Sequence, residues 1–411
     1  MENSKEQNTG LNISVRSFIT ALAVIFILMF AAYALTFVIP SGEFARTVNE
    51  AGQTVIDTQA GFRYVDAGLP FWKWLLSPVL VLTGQGSGTL IAVIVFLLVI
   101  GGAFNCLDRS GIMSSLLDRI TRRYGGSRYK LLTVVILFFM AMGALVGSFE
   151  EIVPLVPIVV ALAIRLGWDR VTGMAMSLLA VGCGFASGVM NPFTVGVAQS
   201  LAGLPMFSGI WLRCVSFVLI FALLLFFVRR YAKKIEGPVE SGEDLSAGRA
   251  DPSMGKAVKS FVLILGLGVL IILLSTVVPA LQDYTMIIVA LTFLAAGISS
   301  VLIAGMGSGR LAKSFAAGLV SIAPSVLMIL IPIITPLSQL CGIPMQLAIL
   351  AFAFGDGFSN VIYPTNAGLL ITLGLTDVSY GEWFRYSWRF QLLNLILTCG
   401  ILLFGLMAGY A

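Results

Sequence analysis

Apolar residues along this chain fall in runs of about twenty rather than in the narrow stripe of a water-facing helix, a pattern that predicts membrane-spanning helices. The first run covers residues 18–39; the polar stretch 1–16 before it has no small-residue cleavage site, which predicts a retained anchor helix. Residues 41–66 then change character. FARTV, NEAG and QTVID read as a small β-hairpin about a Gly-containing turn, expected on the extracytoplasmic side. FWKW at 71–74 is an aromatic patch of the interfacial kind. Residues 90–104 return through the bilayer to a basic loop at 108–130. The long apolar segment 131–166 is interrupted by GSFEEIVP at 147–154 and has basic loops at both ends, so it is expected to enter and leave on one side as a helical hairpin.

Two stretches break the pattern in the same way. GCGFASGVMNPFTVGVAQSLAG (182–203) and GDGFSNVIYPTNAGLLITLG (355–374) are apolar enough for a membrane, yet each carries Ser, Asn, Thr and a central Pro. A helix interrupted there frees backbone groups that lipid cannot satisfy, so such a break belongs beside a cavity. Shifting by 172 positions superposes Ser187 on Ser359, Pro192 on Pro364, Gly196 on Gly368, Gly209 on Gly381, Trp211 on Trp383 and Arg213 on Arg385. Upstream, LVPIVVALAIRLG (155–167) matches LIPIITPLSQLCG (330–342) at a shift of 175. The chain therefore reads as two copies of one unit. Basic clusters place the first copy's broken helix, about 171–202, running outward, with 211–228 returning to RRYAKK at 229–234. Helices at 259–278 and 286–303 then bring Arg310 and Lys313 to the inner face, and the second copy starts from inside at Phe315. The copies are thus inverted. The expected fold is an all-α polytopic membrane protein of two inverted repeats, each with a broken helix, plus the small β-hairpin. Its parts are 1–235, a cytoplasmic linker at 236–258, and 259–411. The N-terminus is expected in the cytoplasm.

Composition agrees: 58% of the 411 residues are hydrophobic and 11% charged. The net charge of +5 lies in short clusters between apolar runs, which argues for membrane orientation and against nucleic acid. Cys106, Cys183, Cys214, Cys341 and Cys399 have no metal-like spacing and read as packing residues. Histidine is absent, no Ser-centred nucleophile motif is present, and GQGSG at 84–88 lacks the Lys and Ser/Thr of a phosphate loop. An enzyme is not expected, nor a cofactor or a metal beyond a Na⁺ site.

The candidate chemistry lies at the breaks. Glu150 and Glu151 sit in apolar sequence, where a carboxylate at helix centre costs roughly 2.5–3.5 kcal/mol, so they are candidate cation or proton sites rather than a wet hairpin tip. Asp356, flanked by Phe354 and Phe358, is a second. Ser187, Asn191, Thr194, Ser359, Asn360, Thr365 and Asn366 offer hydrogen bonds beside half-helix N-termini whose dipoles attract anions, while Pro192 and Pro364 set the breaks; of these polar residues all but Asn366 are taken as binding residues. Helix packing by small residues such as Gly184 and Gly188 explains any one of these positions but not two matching breaks.

These motifs, the Glu150-Glu151 hairpin followed by Pro154 and Pro157, SGVMNPFT at 187–194 with Gln199, and GDGFSN at 355–360 with Pro364-Thr365, resemble those of the YfcC-like transporters. That group stands with the four-carbon dicarboxylate anaerobic carriers in the ion-transporter superfamily. The resemblance covers nearly the whole chain. It implies that substrate and cation bind where two hairpins and two broken helices meet, and that the chain is a secondary transporter of the bacterial inner membrane. A basic amino-acid antiporter is the expected function, because every clear basic cluster lies at a membrane edge while the central charges are acidic; an ion-coupled four-carbon dicarboxylate carrier is the alternative. The expected partners are a small-molecule substrate, the lipid bilayer and Na⁺ or H⁺ as coupling ion; a homodimer is an allowed assembly. One departure stands out. From Gly88 to Leu155 is 67 positions, but from the similar Gly309 to Leu330 only 21, so the second copy is 46 shorter. The family's second hairpin is expected to be missing, with 325–336 running as one kinked span, which raises a further alternative: a truncated, non-transporting membrane protein.

Overall fold

The computed structural model describes residues 27, 30–31, 33–39, 42–48, 54–56, 62–65, 70–76, 80, 83, 87–147, 149–238, 252–275, 278–282, 284–322, 338, 341–364 and 366–410. They fall into two compact units, Met1–Gly88 and Thr89–Ala411. The segment 325–336, where the missing hairpin is expected, lies outside the described residues.

In the first unit the hairpin is longer than its sequence pattern suggests. The expected pair is present as Arg46–Val48 against Thr54–Ile56, with Thr47 opposite Val55. A second antiparallel pair, Gly42–Phe44 with Phe62–Tyr64, extends the ribbon. These outer strands alternate too briefly to stand out in sequence. The aromatic patch forms a short helix, Phe71–Leu75, whose Trp74 is buried and stacks on Tyr33 at 4.9 Å.

The second unit is helical. Among the described residues seven helices are long and apolar enough to cross a membrane, and they do not share the core equally. Residues 171–192 are buried without exception, whereas the helices Ile210–Lys234 and Tyr380–Met407 bury only one stripe each. The first broken helix is therefore the axis of the bundle, and the strongly apolar return helices form its outside.

Around that axis the expected hairpin is observed. Its first arm, Arg128–Ala141, runs through a π-helical turn, Met142–Val146, to Gly147; its second arm continues from the 3₁₀ turn Glu150–Leu155 into Val156–Arg165. Tyr129 at the start and Trp168 just past the end lie 5.7 Å apart, so both ends meet on one side. The helices Ser87–Arg109, Pro252–Ser275, Thr285–Ile303 and Ser308–Ile322 form a second group. Glycines let them approach: a Cβ at Gly102 would overlap the Phe315 ring, and one at Gly297 would press on Ala103. Phe104 joins the groups, with ring contacts to Phe293 at 5.1 Å and Phe193 at 5.9 Å.

One expectation is corrected. The basic loop at 108–130 contains an amphipathic helix, Ile112–Tyr124, that buries Ile112, Met113 and Leu117 and turns its arginines away. Residues 383–389 belong to the first turns of the helix Tyr380–Met407, with Trp383 fully buried.

Candidate functional site

The first break follows from local chemistry. The helix Ala180–Ser187 ends at Gly188, whose φ of +52° is the left-handed conformation that glycine adopts without strain. The Ser187 hydroxyl donates back to the Gly184 carbonyl at 2.7 Å. Asn191 then starts the second half as an N-cap: its Oδ1 accepts from the backbone N–H of Phe193 at 2.9 Å and of Thr194 at 3.3 Å. Pro192 occupies the first helical position, where its lack of an N–H costs nothing. Two polar atoms are left over. Asn191 Nδ2 and Thr194 Oγ1, in side chains 0% and 6% exposed, have no hydrogen-bond partner among the described residues. Each costs about 1–3 kcal/mol if it stays unsatisfied.

The hairpin tip seats on this break. Met190 N–H donates to the Ala144 carbonyl at 2.9 Å. Gly147, at φ +75°, leaves no room for a side chain: a Cβ there would overlap Asn191 Oδ1 and lie 2.7 Å from the Phe193 ring. Further down, Gly143 and Gly184 bring the hairpin arm and the broken helix into backbone contact, Gly143 against Val181 and Phe185, Gly184 against Met140.

The second break repeats the first with a difference of register. Ser359 donates to the Asp356 carbonyl at 2.9 Å, the same bond that Ser187 makes 172 positions earlier. The half-helix Ala367–Thr376, however, is capped by Asn366, whose Oδ1 accepts from Leu369 N–H at 2.9 Å while its Nδ2 donates to Asn360 Oδ1 at 3.1 Å. From Ser187 to the capping Asn191 is four positions and from Ser359 to Asn366 seven, so the second break is three residues longer. Asn366 is thus the counterpart of Asn191; the sequence offers it as a polar residue of the break but does not place it among the expected binding residues. The signal was an Asn immediately before an apolar run. Pro364 lies within this break, two positions before the cap, and does not start the helix as Pro192 does.

The freed carbonyls are taken up by the return helices. At the first break Arg213, 1% exposed, donates through Nε to the Val189 carbonyl at 3.3 Å and through Nη2 to Phe207 and Ser208 at 2.8 and 2.9 Å. At the second, Trp383 Nε1 donates to Val361 at 2.8 Å and Tyr380 Oη to Ile362 at 2.9 Å. The repeated Trp-x-Arg therefore serves both breaks through different members. Trp211 is 46% exposed and Arg385 is exposed. No described carboxylate pairs with the buried Arg213 guanidinium.

The two broken helices run antiparallel. Gln199, near the end of the first, donates to Gln346 at the start of the second at 2.7 Å, while Thr376 at the end of the second reaches Met174 near the start of the first at 3.4 Å. Midway, Gly182 meets Val361 and Gly357 rests on Ala186; a Cβ at Gly357 would lie 2.5 Å from Ala186 Cα. One residue joins tip and both breaks. Phe149, 1% exposed, lies 6.3 Å from the Phe185 ring and would be 3.1 Å from a Cβ on Gly368, two residues past Asn366. The structure thus brings Gly147, Phe149, Asn191 and Thr194 together, with Ser359, Asn360 and Asn366 reached across Phe149. Glu150 and Glu151 follow Phe149 directly in the 3₁₀ turn, and Asp356 is half-buried one residue before Gly357. The side chains of Glu150 and Glu151, and Thr365, lie outside the described residues.

The family model for the C4-dicarboxylate anaerobic carrier (DcuC) matches residues 18–331 and 323–407. The chain belongs to this carrier family. The Escherichia coli (strain K12) protein YfcC, named for basic amino acid antiport, is 28% identical over 80% of each chain. An uncharacterized protein of Haemophilus influenzae is 23% identical over 57% of this chain and 52% of its own. The fold resembles the crystal structure of the Alcanivorax borkumensis YdaH transporter, with a TM-score of 0.62 at 17% identity, covering 96% of this chain and 98% of that one. The DcuC-family chain is a multi-pass membrane transporter and not an enzyme.

Proposed function

We propose that this carrier is a secondary active transporter of the bacterial inner membrane that exchanges basic amino acids. One observation carries the reading: Asn191 Nδ2 and Thr194 Oγ1 are buried, unpartnered donors at a helix break sealed by the hairpin tip. Donors of this kind beside a half-helix N-terminus suit a carboxylate. The acidic residues of the same constellation, Glu150 and Glu151 next to Phe149 and Asp356 beside the helix crossing, suit an amine or the coupling ion, Na⁺ or H⁺. An amino acid with a cationic side chain presents both groups. The name of the E. coli relative supports that substrate class.

A four-carbon dicarboxylate is the second reading, favoured by the family description and by the buried cation Arg213. Proteoliposomes loaded with arginine, ornithine or succinate separate the two: counterflow of arginine and ornithine is expected, and counterflow of succinate alone overturns the proposal. The antiparallel broken helices support an inverted repeat, and the basic clusters between the apolar runs support a cytoplasmic N-terminus. A shortened second repeat is supported by the division of the family match at 323–331 and by exposure, since Tyr363 in the second break is 59% exposed whereas Asn191 and Pro192 are buried.

A further inference from the structure

The last four turns of the return helix Ile210–Lys234 carry a feature that transport does not require. Positions 222, 225, 226, 229, 230, 233 and 234 follow one another at three- and four-residue steps and so form one stripe about 18 Å long. Its first part is apolar, Ala222, Leu225 and Phe226; its second is cationic, Arg229, Arg230, Lys233 and Lys234. With Tyr129 of the hairpin this stripe lines a groove of about 990 Å³.

The cations of the groove are not used up by the protein. Arg229 is anchored by Nη2 to the Tyr129 carbonyl at 3.3 Å and Thr133 Oγ1 at 2.7 Å, which leaves its buried Nε without a partner among the described residues. No described carboxylate pairs with Arg230, Lys233 or Lys234. The nearby Glu236 is already engaged by Arg128 and by the Tyr129 hydroxyl. The groove therefore holds concentrated positive charge at one end of an apolar wall.

We propose that this groove binds one anionic phospholipid, its headgroup phosphate on Arg229, Arg230, Lys233 and Lys234 and an acyl chain along Ala222, Leu225 and Phe226. Like charges three and four residues apart repel, and a phosphate relieves that repulsion. Basic pockets between membrane helices are suited to such headgroups. A zwitterionic lipid brings its own cation into the same cluster, and a free phosphate leaves the apolar wall uncovered. The hairpin ends in the same place, at Tyr129 and Gly167, where the Gly237 N–H donates to the Gly167 carbonyl at 2.8 Å. A lipid seated here braces the return helix against the base of the hairpin.

The test uses the full chain, purified in an uncharged detergent, stripped of lipid, and mixed with phosphatidylglycerol, phosphatidylcholine or inorganic phosphate. Native mass spectrometry is expected to show one phosphatidylglycerol retained per chain, with a raised melting temperature, where phosphatidylcholine is lost. The triple variant Arg230→Gln, Lys233→Gln, Lys234→Gln should weaken retention at least tenfold. The equal-charge control Arg119→Gln, Arg122→Gln, Arg123→Gln should not. Should the triple variant fail to fold, Ala222→Trp, which blocks the acyl wall and leaves every charge in place, is expected to lower phosphatidylglycerol retention in its stead. Equal retention of the two lipids, equal loss in the control, or displacement of phosphatidylglycerol by equimolar inorganic phosphate overturns the proposal; the last outcome assigns the site to a solute.

Discussion

At Asn191 the two ends of one side chain do different jobs. Oδ1 caps a half-helix, and Nδ2 is held in reserve. Asn191→Ser keeps an N-cap of comparable strength, where loss of a cap costs about 1 kcal/mol, but removes the amide donor. A hydrogen bond to a charged group contributes about 1.5–3 kcal/mol. Substrate affinity is therefore expected to fall roughly 10- to 150-fold with little change in melting temperature, as read from counterflow KM beside a thermal melt. A parallel loss of stability and transport would make Asn191 a structural residue only. Asp356→Asn keeps size and removes charge. It is expected to abolish coupled exchange while leaving membrane insertion unchanged, and unaltered exchange takes Asp356 out of the site.

Between elements, the repeated Trp-x-Arg motif gives a sharper test than either break alone. Trp383 satisfies the Val361 carbonyl, whereas Trp211 is 46% exposed and packs at the rim. Trp383→Phe should destabilise the protein by about 1–3 kcal/mol, the cost of a buried unsatisfied group, and Trp211→Phe by much less. Thermal melts of the two variants in one detergent decide it, and equal losses refute the assignment. Gly357→Ala places a methyl group against the backbone of Ala186, where the neighbour cannot step aside as a flexible side chain would. Overpacking of this kind costs about 1–3 kcal/mol. Pushing the crossing apart also shifts Asp356, so this variant is expected to lose transport as well.

For the whole molecule, the testable matters are sidedness and completeness. The charge of Arg229 to Lys234 predicts that this end faces the cytoplasm. In a version whose five native cysteines are replaced by alanine, Lys234→Cys should react with an impermeant thiol reagent only in inside-out vesicles, and Pro205→Cys only in right-side-out ones. The opposite result inverts the topology. The exposed second break at Tyr363 predicts weak transport by the chain as it stands. Inserting a relative's hairpin between Met328 and Leu330 should raise counterflow without changing insertion. Equal counterflow with and without it would show that one hairpin tip, bridging both breaks through Phe149, suffices.

By itself the sequence determined the solvent, the positions of the breaks and the hairpin. Each of these is local: twenty apolar residues span a bilayer, Asn-Pro stops one helix and caps the next, and GSFEE cannot continue an apolar arm. Only the tertiary structure decided which freed groups find partners. Asn366 caps the second half-helix because three extra residues in the break shift the register, and an ungapped superposition on Pro364 conceals that shift. Arg213 is buried because it reaches the Val189 carbonyl 24 residues away, and Trp383 is buried because Val361, 22 residues earlier, needs a donor. Periodicity reports that a residue is covered; it does not report by what. The meeting of Gly147 with Asn191 and of Phe149 with Gly368 depends on how closely backbones separated by 44 and 219 positions approach, and that distance is set by packing.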